Sequence, residues 1–110
     1  MKKHILATLL AASTAAQASW YDGNDLHKFF NANDAVSRGF ILGFVTGIAS
    51  AWDNDLFCLP ANVTPGQLSD VVRSRLNRIP EQRHKGAEII VAAALVVAYP
   101  CSDKPSTKLY

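Results

Sequence analysis

Residues 58–101 read CLPANVTPGQLSDVVRSRLNRIPEQRHKGAEIIVAAALVVAYPC, and this stretch decides the fold. Its clearest local signal is Thr64-Pro65-Gly66-Gln67. Threonine at the N-cap, proline in the first helical position and glutamine three residues after the cap form a capping box. The helix that follows turns Leu68, Val71, Val72, Leu76 and Ile79 to one side and Asp70, Arg73, Arg75 and Arg78 to the other. It ends at Ile79, because a residue before proline disfavours helical angles. Pro80 is then expected to open the last helix, with Glu81 in its first turn, where a carboxylate suits the helix dipole. Ile89 to Tyr99 is an unbroken apolar run. It is too short to cross a bilayer, so the expectation is a helix buried nearly all round. Two consecutive helices joined by a short turn run antiparallel. Cys58 precedes the first and Cys101 follows the second, so a bridge between them would clamp the open end of a helical hairpin.

The chain has 110 residues, and its start carries an export pattern. Lys2-Lys3 is a basic segment, Ile5 to Ala12 an apolar one, and Ala16-Gln17-Ala18 a small-residue cleavage site. Cleavage after Ala18 would leave a mature chain from Ser19. Loss of Lys2 and Lys3 leaves nine Lys and Arg against nine Asp and Glu. A near-neutral domain lacks the basic footprint that nucleic-acid binding requires. A hydrophobic fraction of 49 % excludes a solvating disordered chain. The length suits one small domain over residues 19–101, with Ser102 to Tyr110 a polar tail. Export places the two cysteines in an oxidising compartment, where a structural disulfide is the expected outcome. It would close a loop of about 44 residues, for which the chain-entropy estimate is roughly 4 kcal/mol.

Upstream of the hairpin, Asn24 or Asp25 is a candidate cap for a short helix through Leu26, Phe29 and Phe30, broken at Asn31-Ala32-Asn33. Trp20 and Tyr21 precede it and are placed to fold back as an apolar lid. Asp34 is the expected cap of a helix over about Ala35 to Trp52. Ile41, Phe44, Val45, Ile48 and Trp52 form one helical stripe. Gly39, Gly43 and Gly47 recur every four residues on a neighbouring face. Each costs about 1 kcal/mol relative to alanine in a helix interior. The gain that offsets this cost is close backbone approach by another helix: tight packing within the monomer first, or else a helix–helix contact in a homodimer. Asp53 to Val63 reads as a loop stiffened by Pro60 and anchored by Cys58. Asp53 and Asp55 lack the ligand spacing of a calcium loop.

No catalytic constellation stands out. His84 and Glu88 share a helix face at four-residue spacing, without a nucleophile or second metal ligand beside them. There is no HExxH, phosphate-cradling glycine loop or G-x-S-x-G. The cysteines lack CxxC spacing and neighbouring histidines, so no metal or other cofactor is expected. Arg73, Arg75, Arg78, Arg83 and Lys85 gather around the hairpin turn, either as a solvated basic patch or as a docking surface for an acidic partner. Recognition usually rests on loops held by a rigid scaffold. The candidate contact residues are therefore Arg78, Glu81, Gln82 and Arg83 at the turn, with Asp53 and Asp55 in the loop before the capping box. A small exported helical domain of this kind is expected to bind another protein and not to catalyse a reaction.

Further motifs point to a family. Phe57-Cys58-Leu59-Pro60, then Val63 to Leu68, Ile79-Pro80 with Arg83-His84, Ala94-Leu95 and Tyr99-Pro100-Cys101 resemble the Rap1a/Tai immunity proteins. Gly39-Phe40-Ile41-Leu42-Gly43 resembles that family's glycine–aromatic helix motif. The resemblance runs from about Asn24 to Cys101. It implies a four-helix, all-α domain with one bridge, Cys58–Cys101, often as a homodimer. It also implies a periplasmic, non-enzymatic inhibitor of peptidoglycan amidases delivered by type VI secretion, with no membrane insertion. One departure is visible. Many relatives carry a second cysteine pair tying the first helix to the second, where this chain has Phe30 or Asn31, and Ser37. The first helix would then be held by packing of Leu26, Phe29 and Phe30. The alternative function, with the same fold, is an envelope structural or adaptor protein without a toxin partner.

Overall fold

A computed structural model describes residues 19–101 of the chain. The leader and polar tail read from the sequence lie outside the described residues. Four α-helices follow in order: α1 (Gly23–Ala32), α2 (Ala35–Trp52), α3 (Pro65–Arg78) and α4 (Ala87–Ala98). No strand occurs among the described residues, and the fold is all-α.

Each of the first three helices starts on a side-chain cap. Asp22 caps α1, in place of the expected Asn24 or Asp25. Its Oδ1 accepts from the Asp25 N–H at 2.8 Å, and the Asp22 N–H donates back to Asp25 Oδ2 at 3.1 Å. Asp25 is thus the third-position partner of a reciprocal box. Asn33 ends α1 in the left-handed region, at φ 55°, which asparagine tolerates better than most residues. Asp34 caps α2 through the Ser37 N–H at 2.8 Å and also accepts from Ser37 Oγ at 3.0 Å. In α3 the Thr64–Gln67 box forms as the sequence requires, at 3.1 and 2.9 Å.

The hairpin of α3 and α4 differs from expectation in its turn. Pro80–Gln82 forms a single 3₁₀ turn, and the last helix begins at Ala87, not at Pro80. The cause is tertiary. The carbonyls of Arg83 and Lys85 accept the N–H groups of Asn24 and Gly23, both at 2.9 Å. These are N–H groups that the first turn of α1 leaves without helical partners. The chain at residues 83–86 is bent to supply them. At the other end of the hairpin, Cys58 and Cys101 are disulfide-bonded with Cα atoms 4.9 Å apart, and the Cys58 N–H donates to the Tyr99 carbonyl at 2.9 Å.

The core gathers Leu26 of α1, Ile41, Val45 and Ala49 of α2, Leu68, Val72 and Leu76 of α3, and Ala87, Ile90, Val91, Ala94 and Leu95 of α4. Phe57 of the intervening loop is fully buried among them. The inward stripe of α2 is Ser37, Ile41, Val45 and Ala49, flanked by half-buried Phe44 and Ile48; Trp52 falls outside it and is exposed. By length and composition α2 is the one described helix apolar enough to span a membrane. Its stripe nevertheless packs into the centre of the bundle, as a core helix does. Helix α4 is not buried all round: Ile89, Val96 and Val97 are exposed. A bundle of four helices covers only one side of each, so a uniformly apolar α4 leaves an apolar outer face.

No second disulfide reaches α1. It is held by Leu26, by the backbone bonds to the turn, and by an aromatic cluster. Tyr21 packs edge-on against Phe29, Phe40 and Phe44, at ring-centroid distances of 6.1, 5.0 and 6.4 Å. Tyr21 is therefore the lid residue; Trp20 is almost fully exposed.

Candidate partner-binding surface

The turn between α3 and α4 is braced by identifiable contacts. Arg83, half-buried, donates from Nε to the Leu76 carbonyl at 2.8 Å and so satisfies an open carbonyl near the end of α3. The Ala87 N–H donates to the Tyr21 carbonyl at 2.8 Å, which fixes the start of α4 to the segment before α1. Gly23 fits this junction because it lacks a side chain. A Cβ there would lie 2.5 Å from Ile90 Cδ1 and 2.7 Å from the Arg83 carbonyl oxygen. On this frame Glu81 and Gln82 are exposed. Arg78 is exposed too, with Nη1 donating to Ser74 Oγ at 3.1 Å.

The loop before α3 divides its two aspartates. Asp53 Oδ1 accepts from the Leu59 N–H at 2.9 Å and braces the loop over buried Phe57. Asp55 is exposed. The turn and this loop sit at opposite ends of α3, about 20 Å apart by helix rise. The six candidate contact residues are thus split between two sites.

Gly39, Gly43 and Gly47 lie on the exposed side of α2, roughly half a turn away from its inward stripe. A Cβ built on any of them meets nothing within 4 Å. Among the described residues nothing packs tightly against these glycines, and all three are exposed. His84 and Glu88 do not form a site together. Glu88 Oε1 instead accepts from Ser19 Oγ at 2.5 Å. Among the described residues, no group of three or more His, Cys, Asp or Glu side chains is arranged to hold a metal ion.

A cavity of about 160 Å³ opens where α1, α2 and α3 meet, lined in part by Phe30, Ile41, Leu42 and Ser69. Phe30 and Ile41 were legible only as core positions. Ser69 carries the signal that was available, a hydroxyl one residue after a core leucine.

No curated protein matches the chain. The sequence profile described as Rap1a immunity proteins matches residues 22–101, from the α1 cap through the second cysteine. Every element that builds the bundle, the clamped hairpin and the pinned turn falls within that match, and the chain belongs to the Rap1a immunity protein family.

Proposed function

We propose that this protein is a periplasmic immunity protein that binds and inhibits a peptidoglycan amidase delivered by type VI secretion. In this role it protects the producing cell from its own effector or that of a sister cell. The family match over residues 22–101 carries the reading. The export pattern at the N-terminus and a disulfide that needs an oxidising compartment support it. The pinned turn, with Arg78, Glu81, Gln82 and the Arg83 that braces it, is the proposed contact surface, with Asp53 and Asp55 as a second edge. Preorganised loops bind without a large ordering cost. A homodimer formed across the Gly39–Gly43–Gly47 face belongs to the same proposal.

The test is survival. Cells exporting the matching amidase to the periplasm should lyse, and co-expression of this protein should rescue them. A variant without residues 2–18 should fail to rescue while remaining folded. Rescue by the leaderless form would overturn the periplasmic part of the proposal. Absence of rescue by the full chain, with no complex in a pull-down against the purified amidase, would overturn the inhibitor reading and leave the envelope-adaptor alternative.

A further inference from the structure

The cavity at the junction of α1, α2 and α3 has the features of a single-residue receptor. Its apolar wall includes Phe30, Ile41 and Leu42, and its volume is about 160 Å³. Drug-sized ligands occupy roughly 300–1,000 Å³; this space matches one large side chain. Such pockets are where protein interfaces seat their anchoring residues.

The polar groups indicate what accompanies that side chain. Ser69 lines the cavity and is only 8 % exposed, and its hydroxyl oxygen is buried with no hydrogen-bond partner. A serine inside a helix ordinarily bonds to the carbonyl four residues back. An unpaired buried hydroxyl is costly, and Ser69 is one of the two side chains with an unpaired buried polar atom among the described residues. Arg38 and Arg73 also line the cavity, against one carboxylate, Asp70. Arg73 is held with its guanidinium 5.2 Å from the centre of the Phe30 ring, so a cation is fixed over the apolar wall. The lining residues thus carry two cations to one anion, with the Asp34 carboxylate also near Arg38, and arginine forks suit carboxylates.

We infer that this cavity receives an apolar side chain from a protein partner, with an adjacent carboxylate bound by Arg38, Arg73 and the Ser69 hydroxyl. The inference rests on the immunity reading for the identity of that partner, the effector, and on the cavity alone for its chemistry. It places an anchoring contact on α3 that uses none of the candidate contact residues of the turn or the preceding loop.

The probe is the peptide acetyl-Leu-Glu-amide, titrated into ¹⁵N-labelled oxidised protein and followed by NMR. Amide shifts should concentrate at residues 29–30, 38–42 and 66–73 and saturate in the millimolar range. The neutral acetyl-Leu-Gln-amide and the variant Arg73→Gln should each bind at least fivefold more weakly. Ser69→Ala should bind about tenfold more weakly while melting no lower than wild type, since it removes an unpaired hydroxyl. A merely structural serine would not give that pair of results. Absence of shifts at these positions, or equal binding of the Glu and Gln peptides, would overturn the inference. With the effector in hand, unchanged affinity for Ser69→Ala and Arg73→Gln would also overturn it and leave the immunity reading standing. If wild type binds no effector, that reading falls and the peptide titration alone decides the cavity.

Discussion

Gly23 sits where a Cβ would strike backbone atoms of Arg83, at 2.7 and 2.9 Å. Gly23→Ala should therefore cost about 1–3 kcal/mol, as overpacked sites do, measured by urea denaturation. A cost below about 0.5 kcal/mol would mean that the turn yields easily. A second residue-scale prediction concerns pH. Two hydrogen bonds from Ser37, through its N–H and its hydroxyl, hold the Asp34 carboxyl below its ordinary pKa. A lowered folded pKa means that the cap's contribution is fully present above the unfolded value. It is lost as pH falls through the folded one. The melting-temperature gap between wild type and Asp34→Ala should be constant above about pH 5 and narrow on acidification below about pH 4. A gap that persists unchanged at about pH 2.5, measured where both proteins still fold, would show that charge plays no part in the cap.

At the scale of elements, the clamp and the brace make different contributions to the α3–α4 hairpin. The disulfide ties its open end, and Cys58→Ser should lower stability by up to about 4 kcal/mol. Oxidised wild type and mutant melting together would refute that role. Arg83 acts at the closed end through one bond to the Leu76 carbonyl, and Arg83→Met should cost about 1–2 kcal/mol by the same denaturation measurement. These two ends also mark what was legible. The limits of α3 are written locally, in Thr64, Pro65, Gln67 and the proline after Ile79, and they form as read. The start of α4 is not local. Pro80 has the chemistry of a first helical residue, but Arg83 and Lys85 turn their carbonyls to α1 instead. No window of sequence around Pro80 contains that demand. The cap of α1 falls at Asp22, two residues before Asn24 and three before Asp25, for a simpler reason: all three are good caps, and only the reciprocal bond separates them. The cavity at Ser69 was illegible because its walls come from three helices.

At the scale of the molecule, the unresolved gain is the one that offsets the three glycines of α2. One of its two explanations finds no support among the described residues, since none of them approaches Gly39, Gly43 or Gly47. For a protein that stays monomeric, Gly43→Ala should then stabilise by about 1 kcal/mol, the ordinary helix-propensity gain. For a dimer joined across this face, the added methyl group would hold the two backbones apart, and that gain should shrink or reverse at concentrations where the dimer forms. Gly43→Leu sharpens the contrast. Its Cβ meets no described residue within 4 Å and the position is exposed, so its helix content and unfolding midpoint at low concentration should match or exceed wild type. Its sedimentation coefficient at high concentration should fall to that of a monomer if the face is the interface. Because the core does not touch Gly43, loss of the dimer in this variant is not attributable to a damaged fold. A wild type that sediments as a monomer at all concentrations would instead turn the open glycine face into a surface reserved for another protein, and effector binding by Gly43→Leu would then be the deciding measurement.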